Sequence, residues 1–378
     1  MQSYDVAVVG LGALGSAAVY QLARRGVSVV GFEQFELGHV RGASHDSSRI
    51  VRTSYGSLPY VRFAQSAYRD WAELEETSGT KLFTQTGGVI FIPVDGPYSA
   101  SDFTTSLDAA GVPYELLAPA EVHARWPQFT IPDGVETVYT ADSGMVHAAN
   151  TVATLQEQAL RLGAVLRDNT PVTGIEPGPD GVVVTTASGT VRARKVILAA
   201  DAWTNELLEP LGARIPLEIM QEQVTYFSPE DPQAFAPESF PVWIWEDELC
   251  FYGFPTFGEA TVKAGRDVSE NFMTPAERSF EHSPELERQL DGFLAATVPG
   301  KGAVQRTITC QYAITPDRRF IIGALPEHPD VIVGLGAGHA FKFTPAFGRA
   351  LAELATDGVS TDDLSSFAVE PPAAVPSL

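Results

Sequence analysis

The 378-residue sequence predicts a mixed α/β fold (α+β overall), with a discontinuous Rossmann-like nucleotide-binding domain wrapped around an antiparallel-sheet domain. Three observations carry this. The chain opens on an apolar strand, Tyr4-Asp5-Val6-Ala7-Val8-Val9, that runs into Gly10, Gly12 and Gly15 and then an apolar helix. It returns near its end to the same pattern: a strand over 331–333, the loop Gly334-Leu335-Gly336-Ala337-Gly338, and a helix over 345–356. Between them, residues 216–257 alternate apolar and polar positions and are rich in aromatics, which suits an antiparallel sheet.

Each part of the opening unit has a physical reason. Gly10 permits the tight turn, Gly12 lets the backbone approach a pyrophosphate, and Gly15 lets helix and strand pack closely. The helix N-terminus offers unpaired N–H groups to phosphate oxygens. The second strand ends in Glu33, roughly 20 residues on, where an acid can accept hydrogen bonds from ribose hydroxyls. Glycines at this spacing also occur in loops that bind nothing; with the strand, the helix and the acid they predict a dinucleotide site. The unit does not distinguish NAD from FAD.

The remaining elements follow in order. A polar loop from Gly38 turns into a helical or extended run through Arg49 and Arg52. Phe63, Ala67, Trp71 and Leu74 recur at helical spacing within 59–77. Strands are expected around Gly87-Gly88 within 82–93, and helices over 101–110 and 120–126. A further helix is expected over 150–162, capped by Asn150 or Thr151 and stopped at Gly163. Hairpin turns fall at 178–181 and 188–189, and a strand over 195–200 runs into Asp201-Ala202-Trp203. Residues 276–294 read as helix, and Pro371, Pro372 and Pro376 mark a loose tail. The cofactor domain is therefore assigned to 1–82, 146–212 and 306–378, and the substrate domain to 83–145 and 213–305.

Composition excludes several function classes. A formal charge of −22 argues against nucleic acid and anionic membrane surfaces as partners. With 44% apolar residues the chain has ample core. No basic segment precedes the first apolar run, and no apolar stretch is long enough to span a bilayer. Two cysteines, Cys250 and Cys310, make no disulfide framework, so a cytoplasmic protein is expected. No metal-ligand spacing and no nucleophile elbow occur, which removes metal and hydrolytic chemistry.

Five lysines stand against twenty arginines, so a lysine in an apolar or glycine-rich setting needs a reason. Lys263 lies in Val262-Lys263-Ala264-Gly265, and Lys342 lies between Phe341 and Phe343. Both could be edge lysines facing water; both could be buried functional cations. Arg49 and Arg52, three apart behind His45, would share one side of a helical turn, as surface ion pairs or as an anion clamp. Cys310 by itself reads as a small buried hydrophobe, as does Cys250. His339, after the second glycine loop, is structural or faces a cofactor.

These residues converge on a resemblance. Ser44-His45-Asp46-Ser47-Ser48-Arg49-Ile50-Val51-Arg52, Tyr252-Gly253-Phe254-Pro255, Lys263, Cys310-Gln311-Tyr312 and Gly338-His339-Ala340-Phe341-Lys342-Phe343 together resemble the monomeric sarcosine oxidase group. Its relatives include N-methyltryptophan and pipecolate oxidases, in the D-amino-acid-oxidase superfamily, and the likeness runs nearly end to end. The resemblance implies FAD as cofactor, tethered covalently through Cys310. It implies Lys263 near the flavin where oxygen reacts, Arg52 and Lys342 as clamps on a substrate carboxylate, and Tyr252 and Tyr312 lining the substrate cavity. Glu33 is implied as ribose ligand, with His45, Ser48 and Arg49 beside the flavin. Leu14, Val172, Gly336, Gly338, His339 and Lys342 complete the implied cofactor contacts.

The implied reaction is oxidation of a secondary or N-methyl amino acid, giving an imine that hydrolyses and hydrogen peroxide from O2. A monomer acting on a small amine is expected. The alternatives are a flavin dehydrogenase with a non-oxygen acceptor, or an oxidase of a cyclic or larger amine such as a pipecolate-like or fructosyl-amino-acid substrate. An NAD-dependent reductase or a non-catalytic nucleotide-binding module would leave Cys310 and the second glycine loop unexplained. Three departures from the family pattern stand out. Asp267 replaces an active-site histidine, and an acid there could favour a more cationic or more polar substrate. Trp243 and Trp245 occupy the stretch ahead of Tyr252, within the expected substrate cavity. Asp201 replaces a glycine shortly before Trp203.

Overall fold

A computed structural model describes residues 1–370; the proline-rich tail expected at the C-terminus lies outside them. Strand Gln2–Val9 is parallel on both sides, to Val29–Phe32 and to Gly189–Leu198, with Val9 opposite Phe32 and Leu198. The C-terminal half of Gly189–Leu198 also pairs in parallel with Val331–Leu335, the returning strand. Its N-terminal half instead pairs with Gly181–Thr186, the inner strand of a hairpin with Val172–Gly178. Successive residues of the first strand feed opposite cores. Val6 and Val8 pack under helices Ala13–Arg24, Leu58–Ser78 and Thr344–Thr356, while Ala7 and Val9 join Ile175, Val182, Leu208 and Ile215. Burial on both faces explains why this strand is continuously apolar.

A second eight-stranded sheet runs Ala303–Ile314, Glu218–Ser228, Val262–Asp267, Cys250–Phe254, Val242–Trp245, Gly88–Pro93, Val135–Thr140, Glu115–Leu117. Every pairing in it is antiparallel except Val242–Trp245 with Gly88–Pro93. One face packs on helices Pro119–Arg125 and Pro284–Thr297 through Phe91, Trp243, Phe251, Leu290 and Leu294. The domain boundary expected at 306 falls inside Ala303–Ile314, which pairs along its length with Glu218–Ser228; the chain rejoins the first sheet only at Ile321.

Three local expectations change. The helix expected over 150–162 starts at Ala148, because the ring Nδ1 of His147 accepts from Asn150 N at 3.2 Å and caps it. Only the second part of 276–294 is α-helical. Pro284 sits in the first turn of Pro284–Thr297, whose N-cap Ser283 accepts from Leu286 N, and a single turn at Pro275–Glu277 precedes it. The run through Arg49 is a strand, Arg49–Val51, so Arg49 and Arg52 do not share a helical turn.

Candidate active site

Both eight-stranded sheets, and strand Arg49–Val51 of a smaller three-stranded sheet, contribute to the walls of a cavity of about 1000 Å³. At one end sits the first glycine loop. Gly10 has φ +91°, and a Cβ there would lie 2.4 Å from the Ala199 carbonyl oxygen. A Cβ on Gly12 would meet Ser44 Oγ at 2.9 Å, and that hydroxyl accepts from Ala13 N, also at 2.9 Å. Gly15 does not line the cavity. It lies beneath the loop, where a Cβ would come within 1.8 Å of the Gly10 oxygen, so its role is close packing of helix on strand. Leu14 and Val172 are on the wall.

Glu33 is buried at this end and braces the loop. Its Oε2 accepts from Leu11 N at 2.9 Å, and its Oε1 accepts from Phe35 N at 3.2 Å and lies 3.3 Å from His39 Nε2. Burial pushes this carboxyl up, but His39 and the Leu11 N–H outweigh it and hold it below the usual range. A carboxylate offers about four lone-pair sites, so one remains for a ribose hydroxyl.

Midway, Cys310 and Arg49 face the cavity. Burial raises the Cys310 thiol to about 11, against the pull of Arg49. Arg49 donates to the carbonyls of Ser48 (2.8 Å), Ala43 (2.8 Å) and His45 (2.9 Å), which ties the preceding loop to its strand. Burial, reinforced by Arg49, holds the His45 imidazole down to about 4, and its Nε2 is buried with no hydrogen-bond partner in the protein. Lys263 is 3% exposed, and its Nζ lies 2.5 Å from Asp46 Oδ2, 2.9 Å from Ser48 O and 3.3 Å from Ser48 Oγ. It is therefore no edge lysine.

The far end is ionic. Arg52 donates to Ser54 O at 2.6 Å, lies 3.7 Å from Glu246, and stacks 4.5 Å from the Tyr55 ring centre. Lys342 donates to His339 O at 3.0 Å; burial and then Arg52 hold its ammonium down to about 7. Tyr252, Tyr312, Gly336, Gly338 and His339 complete this end. Gly338, at φ +78°, leaves no room for a Cβ, which would sit 2.8 Å from the Tyr312 ring. His339 is held down to about 3, by burial and then Lys342, and its Nε2 is 2.8 Å from Arg318 O.

Two residues here carried no sequence signal. Arg318 donates to Asp267 Oδ2 at 2.5 Å and Oδ1 at 3.4 Å. Burial raises the Asp267 carboxyl, but Arg318 overrides it and keeps the group below its ordinary value. Asp267 is thus a paired anion, which undercuts the expectation that it draws in a cationic substrate. Glu246 is the second; burial raises its carboxyl, partly offset by Arg52. The two tryptophans are corrected. Trp243 packs on Phe129 and Phe293, and Trp245 on Phe91 and Phe293, all on the far face of the sheet. Strand alternation turns Ile244 and Glu246 to the cavity instead.

Comparison with known proteins is consistent with this geometry. The FAD-dependent oxidoreductase family (DAO) matches residues 5–354, from the first strand to the last helix. The chain belongs to that family. This flavoenzyme is 34% identical to a monomeric sarcosine oxidase of Bacillus sp. (strain B-0618), over 99% of its own length and 98% of the relative's. It is 32% identical to an N-methyl-L-tryptophan oxidase of Yersinia pestis (strain Pestoides F), over 97% and 98%. Among solved structures it resembles the open form of NikD, described as an unusual amino acid oxidase essential for nikkomycin biosynthesis. That match has a TM-score of 0.86, 30% identity and 99% coverage of both chains. The cavity of this amine-oxidising flavoenzyme suits FAD: a glycine cradle that a Cβ would fill, and an unpaired buried imidazole nitrogen on the wall. Among the described residues no helix is long and apolar enough to cross a membrane.

Proposed function

We propose that this flavoenzyme oxidises the C–N bond of a small secondary or N-methyl amino acid, cyclic ones included, and that O2 takes the electrons and leaves as hydrogen peroxide. The observation that carries the reading is one cavity that joins the glycine cradle and Cys310 to a cationic end formed by Arg52, Lys342 and Arg318 between Tyr252 and Tyr312. Arg52 faces Glu246 and Arg318 is paired with Asp267, so Lys342, when protonated, leaves one positive charge for one carboxylate. Arg52 supplies a planar fork and Lys342 a point charge. A carboxylate entering beside Lys342 favours its protonated form, so substrate binding is coupled to proton uptake near neutral pH. FAD, when bound, supplies the two-electron chemistry, and the imine product hydrolyses in water.

Covalent attachment through Cys310 belongs to the same proposal, as does a monomeric state. Acid precipitation of the purified yellow protein tests it: flavin absorbance stays with the pellet, and Cys310→Ala moves it to the supernatant. A peroxide-coupled screen of N-methyl and cyclic amino acids tests the reaction; oxidation without peroxide would replace O2 by another acceptor. That second reading draws on one observation, the partial cancellation of the Lys263 charge by Asp46.

A further inference from the structure

Asp46 is a largely buried acid on the cavity wall that the reaction, as described, leaves without work. Its backbone has φ +86°, a conformation that residues other than glycine rarely adopt. Its Oδ1 accepts from the Tyr226 hydroxyl, which in turn lies 2.8 Å from Ser47 Oγ. Its Oδ2 takes the Lys263 ammonium at 2.5 Å and lies 3.6 Å from Arg49 Nη1. The Lys263 Nζ sits 4.7 Å from the Phe254 ring centre and 5.8 Å from that of Tyr226, so water has little access to it. An ammonium in such a place without a counter-ion sheds its proton.

We propose that Asp46 is a positioning residue: it keeps the Lys263 ammonium charged and fixed on the cavity wall across the working pH range, so that the oxygen step does not vary with pH there. The proposal rests on the reading that Lys263 serves the reaction with O2. In that step O2 gains two electrons and two protons to become hydrogen peroxide. Negative charge builds on oxygen before the protons arrive, and a fixed ammonium stabilises it.

The groups that face this lysine are Asp46, Arg49, His45, His147, Tyr226 and Cys310. His45 at about 4 is neutral at pH 7 and Cys310 at about 11 is protonated. Burial likewise raises the Tyr226 hydroxyl and lowers the His147 imidazole, so both are neutral there. What remains is Asp46 between two cations, a triad with one net positive charge. Burial holds Lys263 down to about 8, with Asp46 opposing it. Without the Asp46 carboxylate, burial and Arg49 lose their main opposition and the value falls further.

The test uses the holoenzyme, reduced chemically without any amine, then mixed with O2 over about pH 6 to 10. The wild-type rate stays level up to about pH 8 and falls above it. In Asp46→Asn, which keeps the shape and tolerates the backbone, the fall moves down by at least about one pH unit and the rate at pH 7 drops by about twofold or more. Asp46→Gly, which suits the backbone better, gives the same shift if the asparagine variant folds poorly. A second readout needs no flavin chemistry. In thermal unfolding of the oxidised holoenzyme, stability rises with pH from the folded Lys263 value towards its ordinary 10.5, and in either variant that rise begins at lower pH. An unchanged pH midpoint in both variants overturns the role of Asp46. Wild-type oxygen reactivity in Lys263→Met overturns instead the reading of the lysine itself.

Discussion

Asp201 shows what a single residue can store. It occupies a position where the family resemblance expects glycine, it has φ +46°, and burial raises its carboxyl to about 7. The folded state therefore binds a proton that the unfolded chain, near 3.8, releases. Between about pH 4 and 7 the native state holds more protons, so stability falls as pH rises through that window and stays low above it. Asp201→Gly removes both the strain and the titration, and is expected to raise stability by about 1–3 kcal/mol at pH 7 and to flatten this slope in unfolding curves. Arg318 works the other way. Arg318→Met should weaken a carboxylate inhibitor by about 10- to 100-fold, because the freed Asp267 then repels it. Inhibitor titrations should recover affinity as pH falls and Asp267 takes up a proton. The sequence displayed Asp201 as a departure but gave no sign of Arg318. A glycine-to-acid change can be seen in one line of residues, whereas Arg318 matters only through a partner 51 positions away.

At the scale of elements, periodicity was readable and facing was not. The opening strand, the glycine turn and the returning strand–loop–helix were legible because each local step demands a residue type: positive φ at Gly10, and close approach at Gly15. Trp243 and Trp245 were placed on the wrong face because alternation sets which residues go together, while the choice of face is fixed by the register against Gly88–Pro93. The packing of Ala13–Arg24 against Thr344–Thr356 was equally hidden. At their contact, a Cβ on Gly348 would stand 2.4 Å from the backbone carbon of Ala17. Gly348→Ala is expected to destabilise by about 1–3 kcal/mol despite its better helix propensity, seen as a lower thermal midpoint. A midpoint at or above wild type would show that the two helices can part at little cost.

The molecule as a whole places its cofactor site where its two eight-stranded sheets meet, so cofactor and fold stabilise each other. Arg278 adds a protein contact of the same kind, donating to the carbonyls of Val40, Arg41 and Thr309, which joins the loop after the first unit to the strand that carries Cys310. A ligand bound to the native state alone adds about 4 kcal/mol at a thousand times its Kd. Stripping FAD from Cys310→Ala should therefore lower the thermal midpoint by several degrees, and added FAD should restore it in a concentration-dependent way. On the proposed attachment through Cys310, the wild type shows no such dependence on free FAD.

The path of the chain sets a timetable as well as a shape. The first glycine loop is finished within the opening residues, but Gly189–Leu198 gains its neighbour Val331–Leu335, and the cavity its second glycine loop, only after most of the polypeptide has been made. A ribosome still translating the second sheet thus holds a nascent chain with an incomplete cavity. Flavin capture becomes a late event in biogenesis, and stalled or shortened chains should emerge colourless.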